Sequence, residues 1–97
     1  MSPVIVRLCG DIDLASREAT DDALAGAVAS ARAAGVNVVV DLSEVTFLDS
    51  TGMSCLVVAS RALRPEQCLY LRDPRPIARR ALEIAGLGYM ICDTLPA

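Results

Sequence analysis

The sequence has no histidine, no lysine and no tryptophan, with one phenylalanine and two tyrosines. Each absence closes a class of function. Without histidine, a Ser-His-Asp or Cys-His catalytic set is impossible. Without lysine there is no phosphate-cradling G-x-x-x-x-G-K-[ST] loop, and G-x-G-x-x-G is missing after the first apolar run as well. No stretch matches the G-x-S-x-G nucleophile elbow. No apolar run approaches the roughly 18 residues of a membrane span, and Met1-Ser2-Pro3 does not read as the start of a secretion signal. The four cysteines, Cys9, Cys55, Cys68 and Cys92, form no C-x-x-C pair and have no histidine to complete a mixed zinc site. Each lies in or beside an apolar run, so they read as free, buried, small hydrophobes. Reduced thiols of that kind fit a cytoplasmic protein. Neither a cofactor nor a metal is expected.

The balance of charge excludes more. Nine arginines face 12 acids, a net charge of −3, whereas a nucleic-acid binder or a protein of anionic membrane surfaces carries a basic patch. What the chain does have is aliphatic bulk, with 54% of its 97 residues hydrophobic. One domain over residues 1–97 is the expectation. A chain of this length buries roughly two thirds of its unfolded surface, enough to fold without staples. A core of Val, Leu, Ile and Ala suits helices packed on a sheet.

The patterning alternates between strand and helix. Val4-Ile5-Val6-Arg7-Leu8-Cys9 is a β-branched run ending at Gly10, and Gly10-Asp11-Ile12-Asp13 follows as an acidic turn. From about Ser16 to Ala34, Leu24, Ala27, Val28 and Ala31 fall on one helical face. Ser16 is the natural N-cap there and Gly35 the natural stop. Val36 to Leu42 is the strongest strand signal, and Ser43 to Leu48 carries the chain onward. A second helix runs from about Ser50 to Leu63 with Met53, Leu56, Val57 and Ser60 on its inner face, ended by Pro65. Gln67 to Arg72 is a third strand. Ile77, Ala81, Leu82 and Ala85 stripe a third helix closed by Gly86, and Tyr89 to Cys92 is a short final strand. Strands joined by helix-length crossovers imply an α/β fold with a mostly parallel sheet of about four strands.

The candidate chemistry gathers at Asp49-Ser50-Thr51-Gly52, where a strand hands over to a helix, and at Asp11 and Asp13. In α/β sheets functional groups collect beyond the C-terminal ends of strands. Two readings of Ser50 stand side by side. Its hydroxyl suits a helix N-cap. A helix N-terminus also favours a phosphate, through free N–H groups and a partial positive charge. Gly52, with no Cβ, would leave the backbone open to a close-approaching partner. A hydrolase built on Asp11, Asp13 or Asp49 has too little support without histidine, lysine or a nucleophile motif.

The run from Val38 to Ser43, then Val45-Thr46-Phe47-Leu48-Asp49-Ser50-Thr51-Gly52-Met53, resembles the STAS domain, and among its members the bacterial anti-sigma factor antagonists. The resemblance extends back through Gly10–Asp13 and forward from Asp73 to Leu87, covering nearly the whole chain. It implies a single small α/β domain with three main helices on a mixed, mostly parallel sheet. It implies a protein that is not an enzyme and that binds an anti-sigma factor serine kinase. Phosphorylation of Ser50, or less favourably Thr51, ends the binding, and a phosphatase restores it. Asp11, Asp13, Asp49, Ser50, Thr51, Gly52 and Met53 would form the partner surface. The alternative is a non-phosphorylated scaffold subunit of a lipid-transport or stress-signalling complex. The sequence departs from the family pattern in three places. The strand that usually precedes Val4 is short or missing, leaving an edge open to self-association. Ser54 replaces a common Gly, and the Arg64–Gln67 connection is short.

Overall fold

The computed structural model describes residues 2–92. The elements are β1 (Val4–Ile12), α1 (Arg17–Ala34), β2 (Val38–Leu48), α2 (Ser50–Ala62), β3 (Leu69–Arg72) and α3 (Pro76–Ile84), followed by a 3-10 turn at Gly88–Met90. The sheet order is β1-β2-β3, with both pairings parallel. The expected α/β architecture with three helices is therefore the observed one.

The expected fourth strand shrinks to a single parallel bridge between Leu71 and Ile91, with the Cys92 N–H donating to the Leu71 carbonyl at 2.9 Å. The cause lies just upstream. Gly86, at φ +80°, reverses the chain after α3. The Leu87 and Gly86 N–H groups donate to the Leu82 and Glu83 carbonyls at 2.8 and 3.1 Å, the paired bonds of a Schellman stop. Residues 88–90 then close as a 3-10 turn, so only Ile91 is left to pair.

Both long strands exceed their sequence limits. β1 continues through Gly10, at φ +75°, to Ile12, and β2 continues to Leu48. Register slips between Arg7 and Cys9 and again between Gly10 and Asp11 add residues on the β2 side. These are bulges. They explain why the inward positions of β2 are Val38, Val40, Leu42, Val45 and Leu48, a spacing that no strict period of two predicts.

One face of the sheet forms a single core with all three helices. Leu8, Ile12, Val40, Leu42 and Leu71 meet Leu24, Val28 and Ala31 from α1, Cys55, Leu56 and Ala59 from α2, and Ala78 and Leu82 from α3. The α1 stripe is the expected one. On α2 the inner face is Gly52, Cys55, Leu56 and Ala59, a rotation that leaves Met53, Val57 and Ser60 half-buried. On α3, Ile77 is exposed and Ala78 takes its place inside. The cysteines also depart from expectation. Only Cys55 is buried, while Cys9 and Cys68 are exposed and Cys92 is intermediate. The first two sit at or beyond the strands' outward positions, which the helices do not cover.

On the opposite face, strand register aligns Arg7, Asp41 and Arg72 in one row and Ile5, Val39 and Tyr70 in the next. Val39 is buried on this face, outside the helix-covered core.

Candidate functional site

The C-terminal ends of β1 and β2 bring the acidic turn and the start of α2 together. Ile12 pairs with Leu48, and the Asp49 N–H donates to the Ile12 carbonyl at 3.3 Å. Asp49 is extended at φ −101° and ψ −172°, and it caps α2, its Oδ1 accepting from the Gly52 N–H at 3.1 Å. The Met53 N–H then donates to the Asp49 carbonyl at 3.0 Å, the first bond of the helix.

The cap is thus Asp49, not Ser50. Ser50 is the first helical residue and is exposed. Its hydroxyl makes no hydrogen bond to any other described residue. Thr51 is half-buried. Gly52 is buried, and a Cβ there would lie 2.6 Å from both Ile12 Cγ2 and Leu48 Cδ1. The close approach that needs glycine is therefore to the chain's own core, not to a partner. This contact seats the first turn of α2 on the ends of β1 and β2.

The acidic turn is held by hydroxyls that the sequence did not mark for that task. The Thr46 hydroxyl donates to Asp11 Oδ1 at 2.7 Å. Ser16 Oγ donates to the Asp11 carbonyl at 2.8 Å and accepts from the Asp13 N–H at 3.0 Å. The Asp13 carboxylate in turn accepts from the Ser16 N–H at 3.2 Å. Ser16 stands at the cap position of α1, yet its side chain makes no capping bond to that helix. Thr46 reaches Asp11 because the β2 bulge has displaced it, a shift that no residue pattern signals. Phe47, paired in register with Asp11, and Leu14 are large apolar residues left exposed at this end.

From Ser50 a shallow groove of about 380 Å³ runs along α2, lined by Met53, Val57 and Arg61 and bounded by Ala85 and Leu87. The structure thus places Asp11, Asp13, Asp49, Ser50 and Thr51 at one end of the sheet. Met53 lies in the groove, and Gly52 lies beneath them.

No group of three or more acids or cysteines that could hold a metal ion occurs among the described residues. Cys55 lines a second groove, of about 370 Å³, between α1 and α2. Burial and then the nearby Asp21 carboxylate push its thiol up to about 11, so it stays protonated and is a poor nucleophile. The most perturbed carboxyl is Asp41, on the open sheet face. Burial pushes it up, but the Ser43 N–H and hydroxyl and the Arg72 guanidinium outweigh that and bring it down to about 2. Arg72 Nη2 lies 3.1 Å from Asp41 Oδ2, and Arg7 Nε lies 3.6 Å from the same oxygen. This is a clamp across three strands. No helix among the described residues is long and apolar enough to cross a membrane.

The site is thus a serine-bearing helix start beside a bulged acidic strand end, on a small parallel α/β sheet. Residues 2–92 match the family model described as Mlab, STAS domain. The chain belongs to the STAS domain family. It is similar to the crystal structure of an anti-sigma factor antagonist from Mycobacterium paratuberculosis, with 29% identity, 94% of this chain and 77% of that one covered, and a TM-score of 0.81. It is also similar in fold to the anti-sigma factor antagonist SpoIIAA in its unphosphorylated form, with 22% identity, 94% and 78% covered, and a TM-score of 0.75. The phosphorylated form of the Bacillus cell fate determinant SpoIIAA aligns with 22% identity, 94% and 81% covered, and a TM-score of 0.63. No curated protein matches the chain by sequence.

Proposed function

We propose that the protein is an anti-sigma factor antagonist: a non-enzymatic binding module that captures an anti-sigma factor serine kinase and is released when that kinase phosphorylates Ser50. The observation that carries this reading is the division of labour at α2. Asp49 does the capping, so Ser50, the first helical residue, is exposed and its hydroxyl bonds to no other described residue. Two similar folds carry the names of the unphosphorylated and phosphorylated forms of one protein, and the most identical of the three similar structures is itself named an antagonist.

The physics of the switch follows from the same geometry. A phosphate adds about −1.5 to −2 charges at pH 7. In the free domain, the N–H groups and dipole of α2 tolerate it. Inside a protein interface it must be desolvated beside Asp49, with Asp11 and Asp13 at the same end of the sheet, and binding weakens. A loss of about 3 kcal/mol lowers affinity roughly a hundredfold. The partner surface comprises Asp11, Asp13, Asp49, Ser50, Thr51 and Met53, with Gly52 acting from below. The exposed Phe47 supplies an aromatic anchor of the kind that dominates interfaces. A phosphatase acting on phospho-Ser50 would complete the cycle, and the protein touches no nucleic acid itself.

The test is to recover the partner by pull-down from the source cell, add ATP, and map the phosphate by mass spectrometry. One phosphate on Ser50 is expected, absent from Ser50→Ala, with Ser50→Glu losing partner binding. Continued phosphorylation of Ser50→Ala would refute the assignment, and a phosphate on Thr51 would redirect it. Undiminished partner binding by Ser50→Glu would favour the scaffold-subunit reading.

A further inference from the structure

Helices α1 and α2 follow neighbouring parallel strands, so they lie side by side and run the same way. The groove of about 370 Å³ between them has two matching rims. Asp21, Ala25 and Ala29 form one, and Ser54, Val58 and Ala62 form the other. Successive members are one i, i+4 step apart, which keeps each rim on one line of its helix. Each rim is about 12 Å long, from the rise per residue of a helix. The floor is the buried row of Leu24, Val28 and Ala59. Alanine at Ala25, Ala29 and Ala62 keeps the trough open, because a longer side chain there would lie across it. Val58, on the rim, is a large apolar side chain left 65% exposed.

Both ends of the trough are stopped. At the foot, Arg32 reaches from the last turn of α1 to the last residue of α2, its Nη1 donating to the Ala62 carbonyl at 2.7 Å. At the head, Arg17 Nε lies 3.6 Å from Asp21 Oδ2. A helix of another protein laid along the trough would have to run out past the foot, where the Arg32 strap lies. A short molecule fits between the stops. The polar side chains of the lining, Arg17, Asp21 and Ser54, gather at the head, and the rest is aliphatic apart from the protonated Cys55 thiol. An apolar length with a few polar groups at one place is the usual make-up of a small-molecule site. The charges at the head cancel, one guanidinium against one carboxylate. An anionic head group would meet Asp21, with Glu18 and Asp22 close by, and a cationic one would meet Arg17. A hydroxyl satisfies both, donating to the Asp21 carboxylate and accepting from an Arg17 N–H.

We infer that the trough between α1 and α2 binds a single-chain aliphatic molecule with an uncharged hydroxyl head, its chain along Ala25, Ala29 and Val58 and its head between Arg17 and Asp21. A chain of medium length fills the trough, and a longer one would turn outward to solvent at the Arg32 strap. Removing the chain and the exposed Val58 from water drives the binding. The site excludes Ser50 and needs no protein partner, so it stands or falls apart from the proposed function.

The experiment is a titration of the isotope-labelled protein with n-octanol, followed by amide chemical shifts. Octanoate and octylammonium, with the same chain and charged heads, are the comparators. Saturable shifts are expected at Ala25, Ala29 and Val58, with n-octanol bound about tenfold more tightly than either charged relative. Ala29→Phe fills the trough from an exposed position, and Val58→Asp puts a charge on its rim. Each should weaken binding about tenfold, with the folded state checked by circular dichroism. Ala23→Phe, exposed on the far side of α1, should leave binding unchanged. Shifts that do not saturate, or binding unmoved by both Ala29→Phe and Val58→Asp, would overturn the proposal. So would tighter binding of octanoate or octylammonium. Shifts at the same amides that follow protein concentration with no alcohol present would make a second copy the occupant, and would overturn it too.

Discussion

Helices α1 and α2 both begin beyond the C-terminal ends of neighbouring strands, and both begin at a residue set that suits a cap. They use it in opposite ways. At α1 the serine hydroxyl turns back into the loop and binds Asp11 and Asp13, leaving the helix without a side-chain cap. At α2 the preceding aspartate caps, and the serine hydroxyl is left over. One start consumes its hydroxyl in holding a loop, while the other keeps it chemically available. A hydroxyl beside a helix is therefore a candidate for modification only when a neighbour has already satisfied the backbone it would otherwise serve.

The contrast can be broken most forcefully at Gly52. Gly52→Ala puts a methyl 2.6 Å from Ile12 and Leu48, and overpacking of this kind costs about 2 kcal/mol even after the helix propensity gained. A thermal melt should fall by roughly 10 °C, whereas the same change at the exposed Gly26 of α1, with open space around it, should raise stability slightly. Asp49→Ala should cost about 1 kcal/mol through the lost cap, with Asp49→Asn restoring most of it in urea unfolding. Ser16→Ala should cost less than about 1 kcal/mol overall. Its effect should appear as faster amide exchange at Asp13, not as fraying of α1. Ser50→Ala should change stability by less than about 0.5 kcal/mol while abolishing phosphorylation. A large loss of stability there would mean that Ser50 is structural, and the distinction between the two starts would collapse.

The order of elements was legible because periodicity changes sharply along the chain, from β-branched runs to the i, i+3, i+4 spacing of Leu24, Ala27 and Val28. The location of the Ser50 segment at the end of a strand was legible too. The finer assignments failed where single residues decide. Asp49 and Ser50 are equally good caps on paper, and only the extended Asp49 backbone gives it the Gly52 N–H. Residues 43–48 hid their strand because bulges break the alternation, and the same bulges conceal the Thr46–Asp11 bond. Tyr89 to Cys92 has strand composition, but the 3-10 turn that follows the Schellman stop of α3 uses the residues that pairing would have needed. Gly52 had an obvious reading as an opening for a partner. Its true reason, the Ile12 and Leu48 side chains against its α-carbon, is a tertiary contact that the local sequence does not contain.

The hold of the Ser43 N–H and hydroxyl and of Arg72 on Asp41 has a consequence for how the sheet meets acid. The Asp41 carboxyl ionises at 3.8 in an ordinary setting and at about 2 in the folded chain. Its contribution to stability is therefore complete above about pH 4 and drains away as the pH falls toward 2. Across neutral and mildly acid conditions the three strands stay tied by a charge that does not titrate. An acid melt of the wild type should steepen below pH 4, and Asp41→Asn should flatten that limb. The tie that joins the strands is thus blind to ordinary changes of pH.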